Sequence, residues 1–160
     1  MTAIATGMPA PDFALQTDAG TTFRLSEMRG APVVLYFYPQ DDTEGCTIEN
    51  QEFSALAPDF ARLGVKLVGI SPDSVSDHCK FRDKYGLSVT LASDPDHKAI
   101  APYGLWQEKT TFGRTYVGLV RTSFLIDAEG RIAGIWKVTR VKKHAASMLE
   151  AARALVSGTA

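Results

Sequence analysis

A thiol, hydroxyls and several carboxylates are concentrated in one stretch, Tyr38-Pro-Gln-Asp-Asp-Thr-Glu-Gly-Cys-Thr-Ile-Glu49, where a cysteine could act as a nucleophile. The stretch joins an apolar run, Val33–Tyr38, to a segment with helical periodicity that begins at Glu44. Ligand sites in open α/β sheets favour such carboxyl strand ends. Thr43 is a suitable N-cap, which makes Glu44 N1, Gly45 N2 and Cys46 N3. The Thr43 hydroxyl is then expected to accept a hydrogen bond from the Cys46 amide. Cys46 would lie in a first helical turn, where unpaired N–H groups point outward and the helix dipole is positive. Such a thiol is expected to ionise more readily than a free one. Asp41, Asp42 and Glu44 oppose this, because nearby negative charge disfavours a thiolate. A cation is needed. The candidate is Arg121, just before the apolar run Thr122–Ile126, and only the fold can bring it near.

Magnitudes separate two effects. A free cysteine is about 3% thiolate at pH 7, so full ionisation gains only about 30-fold, or roughly 2 kcal/mol. It also weakens the intrinsic nucleophilicity of the sulfur. A fast reaction therefore needs donors aimed at charge developing on the substrate. The cap hydroxyl, the Cys46 amide and Arg121 are the expected donors.

The elements that must position these groups alternate along the chain. Short strands are expected at Thr22–Leu25 and Thr90–Ala92. Val33–Tyr38 and Val65–Ile70 read as strands buried on both faces. Helices are expected from Glu44 to about Gly64, with Pro58 inside, from Ser74 to Tyr85 closed by Gly86, over Asp96–Tyr103, and from Lys142 to Val156. Thr122–Ile126 and Arg131–Thr139 read as strands of a hairpin turning at Asp127-Ala-Glu-Gly130. The pattern implies an α/β fold with a mixed central sheet and a parallel β-α-β crossover.

The 160 residues correspond to about one domain, and even apolar density with no linker or repeat supports a single domain over 1–160. With 45% apolar and 22% charged residues the chain is not disordered. Lys plus Arg number 17 against 18 for Asp plus Glu, and no basic stripe stands out, which argues against nucleic acid or an anionic membrane as partner. Val33–Tyr38 is far too short to span a bilayer, and the N-terminus lacks the pattern of a secretory signal, so a cytoplasmic location is expected. In a reducing compartment the two cysteines, Cys46 and Cys79, are either buried filler or chemistry. His78, His97 and His144 show no zinc spacing with them. Surface or capping roles are expected for these histidines, and neither metal nor cofactor. Trp106, Phe112 and Tyr116 flank the polar stretch Gln107–Thr115 and either wall a pocket or pack in the core. Lys142-Lys-His144 reads as a solvated helix start.

Pro39-x-x-x-Thr43-x-x-Cys46 resembles the active-site pattern of the peroxiredoxins, with Arg121 at the place of that family's later arginine. The PrxQ type, also called bacterioferritin comigratory protein, is suggested by further segments. These are Tyr-Phe-Tyr-Pro39, Gly-Cys46-Thr, Gly-Ile-Ser71, Ser93-Asp-Pro-Asp-His97, Gly113-Arg-Thr-Tyr116 and Ser123-Phe-Leu-Ile-Asp127. The similarity covers nearly the whole chain. It implies a thioredoxin-like fold with helices on both faces of the sheet, and reduction of hydrogen peroxide and organic hydroperoxides without metal or haem. It implies that Cys46 is the peroxidatic cysteine and becomes a sulfenic acid. Thr43 would orient peroxide and sulfur, Arg121 would stabilise thiolate and transition state, and Pro39 would shield the pocket. Glu49 would hold Arg121.

Many PrxQ-type proteins carry a resolving cysteine five residues after the peroxidatic one, where this chain has Gln51. Another subgroup carries it on the next helix, nearer Arg82. Cys79 lies on that helix, one turn away, and is the expected resolving residue; the other reading makes it an inert helix residue. Thioredoxin is the expected reductant and a monomer the expected state. A thioredoxin-like disulfide reductase would need a Cys-x-x-Cys pair, which Cys46-Thr-Ile-Glu49 does not supply. A redox sensor or holdase using the same thiol would be oxidised without turnover.

Overall fold

The computed structural model describes residues 4–111 and 113–158. The β-branched and aromatic run forms β3 (Val33–Phe37), all of it buried. The other strands are β1 (Ala14–Thr17), β2 (Thr22–Arg24), β4 (Lys66–Ser71), β5 (Thr90–Ser93), β6 (Trp106–Thr111), β7 (Arg114–Leu119), β8 (Thr122–Ile126) and β9 (Ile132–Lys137). The helices are α1 (Glu44–Arg62), α2 (Val75–Tyr85) and α3 (His144–Ser157). Seven strands form one sheet in the order β2-β1-β5-β4-β3-β8-β9, while β6 and β7 pair as a separate hairpin. β3 runs parallel to β4 and antiparallel to β8, so the sheet is mixed and the expected parallel crossover through α1 is present.

The two-residue period of a strand divides the core. Val34 and Tyr36 pack with Phe53 and Phe60 of α1, Phe81 of α2 and Met148 of α3. Val33, Leu35 and Phe37 pack on the other face with Phe13, Leu25, Ile100, Tyr103 and Phe124. Helical cover is uneven. All three α-helices contribute to the first cluster, and the second face is covered by a short 3-10 helix (Leu25–Met28) and by turns.

Several local expectations change. Asp96–Tyr103 is not a helix but a succession of turns. Ala101 N–H donates to the His97 carbonyl and Tyr103 N–H to Ala99, but Pro102 between them has no N–H, so the helical ladder is broken. The buried Asp94 carboxylate instead accepts from the amides of Lys98, Ala99 and Ile100. β1 and the β6–β7 hairpin were not expected, because β1 is only four residues long and β6 is largely polar. Pro58 lies inside α1, as expected. α2 has the expected cap, the Ser74 hydroxyl accepting from Asp77 N–H, and closes on Gly86 in the left-handed region that glycine adopts freely.

Candidate active site

The start of β8 lies beside the end of β3, because Thr122 pairs with Phe37. Arg121, one residue earlier, therefore reaches the point where the chain leaves β3 for α1. Thr43 is the N-cap of α1 and Cys46 is buried in its first turn. The Arg121 guanidinium bridges two groups of α1. Nη2 donates to Cys46 Sγ at 3.1 Å, and Nη1 donates to Glu49 Oε1. Glu49 is fully buried, and its Oε2 has no hydrogen-bond partner among the described residues. The Cys46 carbonyl accepts from Asn50 Nδ2 at 2.9 Å, and Asn50 Oδ1 accepts from the buried Tyr36 hydroxyl at 2.7 Å.

The electrostatics follow from one cation shared by two acids. Burial pulls the Arg121 guanidinium down, but Glu49 and the Cys46 sulfur outweigh this and hold it above its ordinary value. Burial pushes the Glu49 carboxyl up to about 7, against the pull of Arg121, and Glu52 adds to the rise. His144, at the start of α3, is lowered by burial and then by Arg121. The acids ahead of Cys46 are largely matched. Asp41 accepts from the Tyr38 hydroxyl at 2.6 Å and pairs with His78 Nδ1 at 2.6 Å. Asp42 pairs with Lys84 at 2.7 Å and accepts from the Tyr85 hydroxyl. The positive dipole end of α1 and Arg121 are thus opposed less than the bare count of acids suggests.

Cys46, Arg121 and Glu49 come together as expected, and half-buried Pro39 follows Tyr38 at the head of the loop. The Thr43 cap is different. Its hydroxyl donates to the Gln40 carbonyl at 2.9 Å and makes no cap bond to Cys46 N–H. Cys46 and Cys79 are both free thiols, and Cys79 Sγ donates to the Asp18 carbonyl at 3.3 Å. Arg82 donates to the same carbonyl at 3.1 Å. Two histidines are not surface residues. His78 is fully buried, with Nδ1 on Asp41 and Nε2 3.0 Å from the Ala92 carbonyl. His144 is buried with Nε2 2.8 Å from Ser123 Oγ. Each ring found partners that only the folded chain supplies, so no spacing signal existed for them. Trp106 is exposed, with its ring 4.3 Å from that of His97. Phe112 and the side chain of Tyr116 lie outside the described residues.

The AhpC/TSA family model matches residues 6–135, a span that holds Cys46, Glu49 and Arg121. The chain is a peroxiredoxin of the AhpC/TSA family. Peroxiredoxin Bcp of Bacillus subtilis is 42% identical over 92% of this chain and 94% of its own length. A putative peroxiredoxin bcp of Coxiella burnetii is 43% identical over 91% of this chain and 97% of its own. The bacterioferritin comigratory protein of Xanthomonas campestris superposes with a TM-score of 0.88 at 34% identity, over 95% of this chain and 99% of that one. The peroxiredoxin fold is thus a thioredoxin-like α/β fold with a mixed sheet, and the family supports a peroxidase activity. Among the described residues, no helix is long and apolar enough to cross a membrane.

Proposed function

We propose that the chain reduces hydrogen peroxide and organic hydroperoxides through Cys46, and that Cys79 and thioredoxin return the enzyme to its reduced form. The Arg121 guanidinium on Cys46 Sγ is the observation that carries this reading. The thiolate attacks the terminal peroxide oxygen, an S–O bond forms, the O–O bond breaks and water or alcohol leaves. Arg121 and the first-turn amides of α1 stabilise charge on the reacting oxygens. The Thr43 hydroxyl spends its proton on Gln40, so its oxygen is free to accept from the peroxide O–H. Pro39 walls the pocket against water.

A Cys46–Cys79 disulfide requires Cα atoms within about 7 Å. Cys79 is held on the Asp18 carbonyl, so the start of α1 and the turns of α2 around Cys79 unwind locally to let the sulfurs meet. The enzyme is read as a cytoplasmic monomer of one domain. The test is peroxide consumption with thioredoxin and its reductase on wild type, Cys46→Ser and Cys79→Ser. Cys46→Ser is expected to abolish activity. Cys79→Ser is expected to retain one oxidation event and lose turnover. Full turnover in either variant contradicts the corresponding role.

A further inference from the structure

Glu49 presents an unexplained feature, a fully buried carboxylate with one oxygen on Arg121 and the other on nothing among the described residues. A buried acceptor left unsatisfied is costly, and more so when it carries charge. The same guanidinium also serves the Cys46 sulfur. One cation cannot fully compensate two anions in a buried site, so ionising one acid disfavours ionising the other. The groups around the carboxyl do not relieve it. Glu52 on the same helix adds negative charge and pushes it further up. The Tyr36 phenol on β3 gives its proton to Asn50. His144 on α3 faces Arg121 and is bound to Ser123.

We propose that Glu49 is a proton store that compensates the charge of Cys46 through Arg121, protonated while the sulfur is a thiolate and ionised once the sulfur is oxidised. This rests on Cys46 as the attacking thiolate. Before reaction the site holds a cationic guanidinium, a thiolate and a neutral carboxyl. The thiolate bonds to the terminal peroxide oxygen, and the O–O pair goes to the second oxygen, which leaves and takes one proton. Sulfur gives up two electrons and the peroxide accepts them. The sulfenic acid is neutral, so Arg121 is freed to pair with an ionised Glu49. The proton Glu49 releases equals the one the leaving oxygen takes, and none comes from solvent. A carboxyl pushed by burial to about 7 suits this exchange near neutral pH. Glu49 is a positioning residue in this account, acting through Arg121.

The experiment uses the full chain in a Cys79→Ser background, so that oxidation stops at the sulfenic acid. Reduced protein is mixed with one equivalent of hydrogen peroxide in weak buffer just below neutrality. A pH indicator counts protons, and a sulfenic-acid trap with mass spectrometry counts adducts at Cys46. Cys79→Ser is expected to take up distinctly less than one proton per sulfenic acid, and Cys79→Ser with Glu49→Gln one. Well above pH 7 both take up one. Equal uptake just below neutrality, with adduct formed in both, overturns the proton store and leaves the peroxidatic assignment standing. Absence of adduct overturns both. Infrared difference spectra of Cys79→Ser provide a readout independent of Glu49→Gln. The carbonyl stretch of a protonated carboxylic acid is expected to vanish on peroxide addition, and a band that persists contradicts the proposal.

Discussion

Arg121 meets Glu49 and Cys46 at a point where burial strengthens every charge. The consequence extends beyond catalysis to folding. The Glu49 carboxyl rises from an ordinary 4.5 to about 7 on folding. Between those values the folded chain holds a proton that the unfolded chain has lost, so stability falls as pH climbs through the window. Glu49→Gln carries no titrating group. Relative to wild type, its denaturant midpoint is expected to improve as pH rises from about 4.5 to about 7 and to level off above that. A gap that stays constant with pH would show that Glu49 keeps an ordinary carboxyl. Cys46 and Arg121 were legible at this scale because a thiol at a helix start calls for a cation and Arg121 sits beside a strand end, whereas the Glu49 contact was expected only from the family resemblance. The Asp41–His78 pair was not, since it spans 37 residues and neither partner stands out alone. The missing Thr43 cap bond was not legible because the orientation of the hydroxyl toward the Gln40 carbonyl is set by the Gln40–Thr43 turn, which a spacing rule does not see.

The first turn of α1 is held from below by a chain of contacts that starts in the sheet. Tyr36 of β3 stacks on Phe53 with ring centroids 4.1 Å apart and bonds Asn50, which bonds the Cys46 carbonyl. Tyr36 has room only because β4 carries Gly69 opposite it. A Cβ there would come within 2.7 Å of the Tyr36 ring. Gly69→Ala is therefore expected to cost about 1–3 kcal/mol by overpacking and to slow peroxide oxidation as Cys46 shifts. Denaturation midpoints and single-turnover rates measure this, and an unchanged midpoint contradicts the packing account. β3, β4, β8, α1 and α3 were legible because each is long or strongly apolar for its type, and α2 because Ser74 and Gly86 mark its two ends. Asp96–Tyr103, read as a short helix before Gly104, was misread because Pro102 removes a backbone donor and the buried Asp94 carboxylate takes three others. The β6–β7 hairpin was missed because Gln107–Thr115 carries no apolar alternation.

At the scale of the molecule, the fold joins two residues 75 apart in sequence. Antiparallel pairing of β8 with β3 sets Arg121 at the mouth of α1, and the β-α-β crossover directs α1 onto the sheet face that Val34 and Tyr36 share. The alternation of elements made the mixed sheet legible. The uneven helical cover was not, because which face a segment packs against depends on contacts distant in sequence. In the proposed reaction Arg121 does more for Cys46 than help it ionise. Rapid mixing of reduced protein with hydrogen peroxide near neutral pH, following the first oxidation of Cys46, tests this most directly. Arg121→Ala is expected to slow that step by more than the roughly 30-fold available from ionisation alone, with Arg121→Lys between it and wild type. If Arg121→Ala oxidises Cys46 within a few-fold of the wild-type rate, the guanidinium is not what makes this sulfur reactive.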